Sequence, residues 1–250
     1  MGLNLRPVHG WRVFAGEVGV IVLGVLVALG AQQVAEALNQ RSEAAGTRAA
    51  LTNEIRDSLG TLELRKAAQP CIDRRLEELR GLVDEWGRTG TYKTPRWVSQ
   101  ATWLGMGTQR FDAAESAGRL ALLPPEEQYR LGFIHSGLEA FRNTQEREGE
   151  AWATLRMLQA GANTLSSTDR TAIRVALQQA STFNYYIKIR TGQSLEKAAS
   201  FGWKPDMRRA KETMKLAWKD GKFVPSVCLP IDTPPEVANR EANQRYDLPE

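Results

Sequence analysis

Apolar positions along this chain fall into two regimes. From Val13 to Ala31 they run almost unbroken (VFAGEVGVIVLGVLVALGA), with Glu17 as the one charge among 19 residues. Beyond that run they recur every three or four residues, the period of helices with one buried face. Residues 34–67 contain no proline and are rich in Ala, Glu, Arg, Leu and Gln, all strong helix formers. Leu51, Ile55, Leu59 and Leu62 give that stretch an apolar face at its distal end. Pro70 is expected to open the next helix, with Ile72, Leu76, Leu79, Val83 and Trp86 facing inward and Gly87 closing it. Short helices are predicted from Thr94-Pro95 through Trp103 and from Phe111 through Ala117, the second stopped by Gly118.

Pro124-Pro125-Glu126-Glu127 is a strong helix start, proline in the first turn and acid at the positive dipole end. Leu131, Ile134, Leu138, Phe141, Gln145, Glu148, Trp152 and Leu155 then keep a heptad rhythm. Gln145 and Glu148 are either a solvated gap in it or a buried polar pair, and the gap is the favoured reading, since charge is rarely buried without a partner. Ser166-Ser167-Thr168-Asp169 has the capping-box pattern, and Ile173, Leu177, Ala180, Ile187, Leu195 and Ala198 form the next buried face. A last helix is predicted over Pro205–Trp218, with Met207, Ala210, Met214 and Ala217 as its apolar stripe. No run alternates with period two, so the expected class is all-α: one membrane helix continuing into a stalk, then a helical bundle.

The 19 residues of the apolar run rise roughly 28 Å as a helix, close to the thickness of a bilayer's hydrocarbon core. Arg6, Arg12 and His9 precede it, Trp11 sits where an interfacial aromatic belongs, and Glu36, Arg41, Glu43 and Arg48 beyond it sum to no net charge. Positive residues stay in the cytoplasm, so the N-terminus is expected there and the bulk of the chain across the membrane. The competing reading is a cleaved signal peptide, with Ala35-Glu36-Ala37 as the cleavage site. The run exceeds a usual signal core, however, and that site lies well past its end. The organisation expected is residues 1–12 cytoplasmic, 13–35 transmembrane, 36–67 stalk, 68–230 helical domain and 231–250 unstructured tail.

Glu17 has Val13, Phe14, Val20 and Ile21 as its helical neighbours, so no cation on its own helix pairs with it. Near a helix end it can reach headgroup water. The alternative is a partner on another chain, because Gly24, Ala28, Ala31 and Ala35 continue from Glu17 as a stripe of small residues, the surface through which membrane helices approach closely. Residues Gly16 to Leu29 resemble the signature G-E-(I/V)-x-x-(I/V)-V-(I/L)-G-(I/V)-L-(I/V)-A-L, which opens a family of uncharacterised single-pass bacterial inner-membrane proteins. There too the span is followed by a charged helix, here Arg41–Leu64. Position 19 is Gly where the family has a larger apolar residue. The resemblance covers about the first quarter of the chain, implies a bacterial inner-membrane protein with a periplasmic domain, and brings no activity with it.

Cys71 and Cys228 are the only cysteines. In an oxidising periplasm they are expected to form a disulfide; with the opposite topology they would stay thiols. Two distant cysteines and two histidines, His9 and His135, offer no zinc-finger spacing, and no metal or cofactor site is expected. There is no phosphate-binding glycine loop, no G-x-S-x-G, no H-E-x-x-H and no C-x-x-C. His135 lacks a visible acid orienter, so a structural histidine is expected and an enzyme is unsupported. The net charge of +4 is too diffuse for nucleic acid. Arg208, Arg209, Lys211, Lys215 and Lys219 make the last helix a candidate basic surface, although such faces are more often only solvated. These features imply a non-catalytic accessory or scaffolding protein, held by the bilayer and by another membrane or periplasmic protein or a second copy of itself. The alternative is a periplasmic module binding a small molecule or lipid among Trp97, Trp103, Trp152, Tyr185, Tyr186 and Trp203.

Overall fold

A computed structural model describes residues 10–99, 104–213, 218–219 and 222–238. Expectations for Arg6, His9, Trp103, Met214, Lys215, Ala217 and the tail beyond residue 238 lie outside them. Among the described residues the protein is all-α apart from one two-residue ladder. Every helical signal from the apolar run to Trp86 merges into a single helix, α1 (Gly10–Thr89), of 80 residues, which at 1.5 Å per residue is about 120 Å long.

Pro70 does not open a new helix but lies inside α1. Proline leaves the carbonyl four residues back without its donor and crowds it, ordinarily a cost of about 3 kcal/mol. Pro70 and Lys66 both face solvent, so water can satisfy the freed carbonyl, while Ala68, Gln69 and Ile72 on the other side are buried in the core. Gly87 is not the closing residue either; the helix ends at Thr89, and Gly90 takes the left-handed conformation with φ 79°. The free-standing part is also shorter than a stalk over 36–67. Exposure is continuous through Glu43, and from Thr47 onward one face of α1 is buried.

Two further long helices, α3 (Pro125–Leu155) and α4 (Ser167–Ser200), complete a three-helix bundle. Arg48 meets Glu127 and Arg65 meets Glu148, so α3 runs parallel to α1. Asp73 meets Lys188, Arg80 meets Ser181 and Trp86 meets Arg170, so α4 runs antiparallel to it. The heptad positions of α3 are all buried, Gln145 and Glu148 among them, which overturns the expected solvated gap. The α4 capping box forms as predicted, Ser166 and Asp169 each accepting the other's backbone N–H.

Between α1 and α3 the chain returns along the bundle. Residues 94–99 are irregular rather than helical, Ser99 taking a left-handed φ of 69°, and α2 (Gln109–Ser116) follows close to the expected place, with Gly118 left-handed after it. The returning backbone has no ladder partner, so helix side chains supply its hydrogen bonds. Gln145 brackets Leu104, donating to its carbonyl and accepting its N–H at 2.9 and 3.1 Å. Ser58 does the same for Gly107, at 3.2 Å each way. Glu54 accepts from Arg110 N and Phe111 N at 2.9 and 3.0 Å, capping α2 from outside. Gln145, a buried polar residue at a heptad position, is therefore an anchor for a loop.

After α4 the chain crosses back over α1. The helix expected over Pro205–Trp218 is only α5 (Met207–Thr213), and Trp218–Lys219 instead pairs antiparallel with Lys222–Phe223. Asp220-Gly221, the dipeptide between the paired residues, is a strong hairpin signal in the sequence. Residues 231–238 are not a loose tail, since Ile231 O accepts from Arg96 N and Trp97 N, and Ala238 is buried. At the α5 crossing the backbones nearly touch: a Cβ on Gly60 would lie 2.2 Å from Asp206 O, and Asp206 N donates to Arg56 O at 2.8 Å. Gly60→Ala is expected to cost about 1–3 kcal/mol by overpacking, although alanine is intrinsically the better helix former by about 1 kcal/mol. Urea unfolding followed by circular dichroism checks this, and a variant as stable as the parent refutes the contact.

Candidate functional site

Two features stand out from the fold: an apolar helix with nothing packed on it, and a polar seam whose inner end, at Arg65 and Glu148, is closed to solvent. Among the described residues α1 holds the one helix long and apolar enough to cross a membrane, with a mean hydropathy of 2.2 over its best window and none of that window buried. Val20 is 72 % exposed. Glu17, Gly24, Ala28, Ala31 and Ala35 are all exposed, and a Cβ on Gly24 would meet nothing within 4 Å. The sequence stripe is thus an open surface of the isolated chain.

In the bundle core the Arg65 and Glu148 side chains are both 0 % exposed and meet at 2.8 Å (Arg65 Nη2 to Glu148 Oε1). The same Nη2 donates to Asn184 Oδ1 at 2.9 Å, joining all three long helices. Gln69 donates to Asn184 Oδ1 and to Asp73 Oδ1, and Asn184 Nδ2 donates to Asp73 Oδ1. Lys188 completes the seam at 3.4 Å from Asp73. Burial pushes the Glu148 carboxyl up from the ordinary carboxylate range, against the opposing pull of Arg65. Asp73 goes the other way: burial raises it, but the hydrogen bonds from Asn184 and Gln69 and the Lys188 charge outweigh burial and hold it low. Arg65 Nε and Nη1, Glu148 Oε2 and Thr191 Oγ1 make no hydrogen bond.

A second buried cation, Arg75, ties the C-terminal segment to α1. Its side chain is fully buried and donates to the carbonyls of Trp97, Val98 and Leu229 and to Glu78; burial pulls its pKa down against the pull of Glu78. One residue away Arg74 donates to Cys228 O at 2.8 Å. Between these contacts Cys71 and Cys228 lie at disulfide distance, Sγ to Sγ 2.02 Å.

His135 does have an acid beside it, which the sequence does not reveal. Asp112 Oδ1 is 2.9 Å from His135 Nε2, and Phe111 stacks on the ring at 4.0 Å. The adjoining cavity holds about 10 Å³ and is lined by Leu51, Glu54, Ile55, Gly107, Phe111, His135 and Leu138. That lining contains no hydroxyl or thiol, and both Glu54 oxygens are committed to the α2 amides. The aromatic set considered for a ligand is dispersed: Trp152 is in the core, Tyr185 and Tyr186 face outward on α4, and Trp97 donates to Ser226 O in the returning loop. Trp203 lies instead in a separate cluster with Phe201, over which Arg130 and Lys197 are placed.

The candidate basic helix is partly neutralised from within. Arg208 forks onto Asp206, holding that carboxyl down to about 2, and Arg209 meets Asp57 at 3.1 Å. Lys211 lies on α5 and Lys219 in the ladder, so the five cations do not share one helical face. Compared with known proteins, the chain matches no protein-family model, no curated protein and no solved structure.

Proposed function

We propose that this chain is a membrane-anchored, non-catalytic interaction protein, an accessory or scaffolding subunit whose bundle stands off the bilayer on a helix continuous with its membrane span. The observation that carries this reading is α1 itself: a wholly unburied apolar span passes without a break into a helix buried in the bundle from Thr47 onward. Such a helix fixes the bundle's height and axis relative to the bilayer, which is what a scaffold needs and a soluble enzyme does not. The positive residues before the span and the resemblance of residues 16–29 both support an N-terminus in the cytoplasm and a periplasmic bundle in a bacterial inner membrane. Inside the span, Glu17 has no cation three or four residues away on its helix, and the small-residue stripe beside it offers a route for another helix, from a partner or a second copy, to approach.

The test is affinity purification of the tagged full-length chain from native membranes in mild detergent, followed by mass spectrometry. A stoichiometric partner, lost in the double variant Glu17→Gln/Gly24→Leu, is the expected result. A chain recovered alone, or one whose associations ignore that variant, overturns the role assigned to the anchor.

A further inference from the structure

The outer face of α4 carries a pattern that the bundle does not use. Between Asp169 and Glu196 the sequence has no acidic residue, and its four charges are Arg170, Arg174, Lys188 and Arg190. Two of these are engaged, Arg170 over the Trp86 ring at 5.2 Å and Lys188 with Asp73 at 3.4 Å. Arg174 and Arg190 remain exposed with no carboxylate paired to them among the described residues. Along the strip between them the outward positions are apolar, aromatic or uncharged, and Val175, Tyr186 and Ile189 are 51 %, 51 % and 37 % exposed, with Tyr185 alongside. Scattered exposed hydrophobes need no explanation. Here Val175, Tyr186 and Ile189 fall on one face of α4, Val175 about three turns before the other two with Gln178, Gln179 and Thr182 between them, and Tyr and Arg are the residues enriched where partners bind tightly.

We propose that this face, from Arg174 to Arg190, docks an amphipathic helix of another protein that carries carboxylates on either side of its apolar seam. This deepens the interaction reading by naming a surface and a class of partner. Charge selects the occupant. Arg174 and Arg190 are eight residues to either side of Thr182 and flank the strip on opposite sides, so two copies packed antiparallel about Thr182 would bring an Arg174 and an Arg190 to each end of the contact with no carboxylate between Asp169 and Glu196 to meet them. A parallel pair would set like against like. Carboxylates spaced about 24 Å along a facing helix, the rise over the sequence separation of 16, complete both cations.

Geometry argues against the bilayer as occupant. Lys188 reaches Asp73, and a Cβ on Gly87 would lie 2.9 Å from Arg174, so this face runs alongside the second half of α1. It therefore stands along the membrane normal, at a height of roughly 60–85 Å beyond Ala31 by the helical rise. The partner must reach that far from the membrane, well clear of the headgroups.

The test uses the full-length chain in phosphatidylcholine nanodiscs. A fluorescent synthetic 21-residue helix with a leucine seam and glutamate flanks is titrated by anisotropy, with empty discs as control. A matching lysine-flanked peptide is run beside it. Saturable binding of the glutamate peptide alone is expected, weakened at least tenfold by Tyr186→Ser and switched to the lysine peptide by Arg174→Glu/Arg190→Glu. All these sites are exposed, and an unchanged circular dichroism spectrum verifies the fold. Equal binding of both peptides, no binding of either, or indifference to the variants overturns the proposal. So does Tyr186-dependent self-association in sedimentation, or Tyr186-dependent adhesion to phosphatidylglycerol vesicles. None of these outcomes bears on whether the chain is anchored or co-purifies with a partner, so the two readings fail separately.

Discussion

Glu148→Ala is expected to cost the bundle about 3–5 kcal/mol, because it leaves a guanidinium buried and uncompensated among three helices. Arg65 loses its only carboxylate and keeps Asn184 Oδ1, an acceptor already shared with Gln69. Replacing both charges (Arg65→Met with Glu148→Leu) is expected to be neutral or stabilising by about 1–4 kcal/mol, since neither charge then has to be desolvated. A double-mutant cycle from urea unfolding of the full chain in detergent measures the difference. A single variant costing under about 1 kcal/mol would mean that water reaches the pair.

The pH dependence of that pair has a definite sign. Burial raises the folded-state pKa of Glu148 above its unfolded value, so its contribution is fully present below pH ~4.3 and is lost as pH rises through the raised value. Asp73 is held low in the folded state, and its contribution is present above pH ~3.9 and lost as pH falls through its depressed value. Glu148→Gln should therefore remove a loss of stability on the neutral side while leaving the acid limb, to which Asp73, Asp169 and Asp206 contribute, in place. An unchanged slope above pH ~5 would place the Glu148 carboxyl within the ordinary range instead.

The fold was legible where apolar period and capping chemistry agree. The α3 heptads and the α4 capping box are local patterns, and both appear where the residues place them. Pro70 misleads because its cost depends on which side of the helix it faces, and that is set by packing distant in sequence. Gln145 and Glu148 mislead for the same reason. Their partners, Leu104 and Arg65, lie 41 and 83 residues away, so no local rule distinguishes a solvated gap from a loop anchor and an ion pair. The His135–Asp112 contact likewise depends on α2 folding against α3. Gly60 carries a legible signal, a glycine within a run of helix formers, but the crossing backbone that requires it is 146 residues away.

Removing the disulfide, by Cys71→Ser with Cys228→Ser, is the second large effect expected. The bridge closes a loop of 157 residues, for which the chain-entropy relation gives about 5 kcal/mol, with typical losses of about 2–5 kcal/mol. Most of that acts through the unfolded chain, so the folded arm should remain seated: Arg74 and Arg75 still hold the carbonyls of Cys228 and Leu229, and Ile231 O still accepts from Arg96 and Trp97. Hydrogen exchange separates the two effects. Global unfolding should become easier throughout, while the Arg96 and Trp97 amides stay protected relative to the exposed segment at Glu43. If those amides exchange freely in the variant, the bridge is a local clasp and the arginines do not hold the arm without it. The same bond also reports topology, because disulfides persist in oxidising compartments and not beside cytosolic reductants. Thiol labelling of the unfolded chain taken directly from native membranes should find neither cysteine reactive until a reductant is added. Two labelled thiols at that stage would put the bundle on the cytoplasmic side and overturn the periplasmic assignment, while leaving the α4 docking face to be tested unchanged.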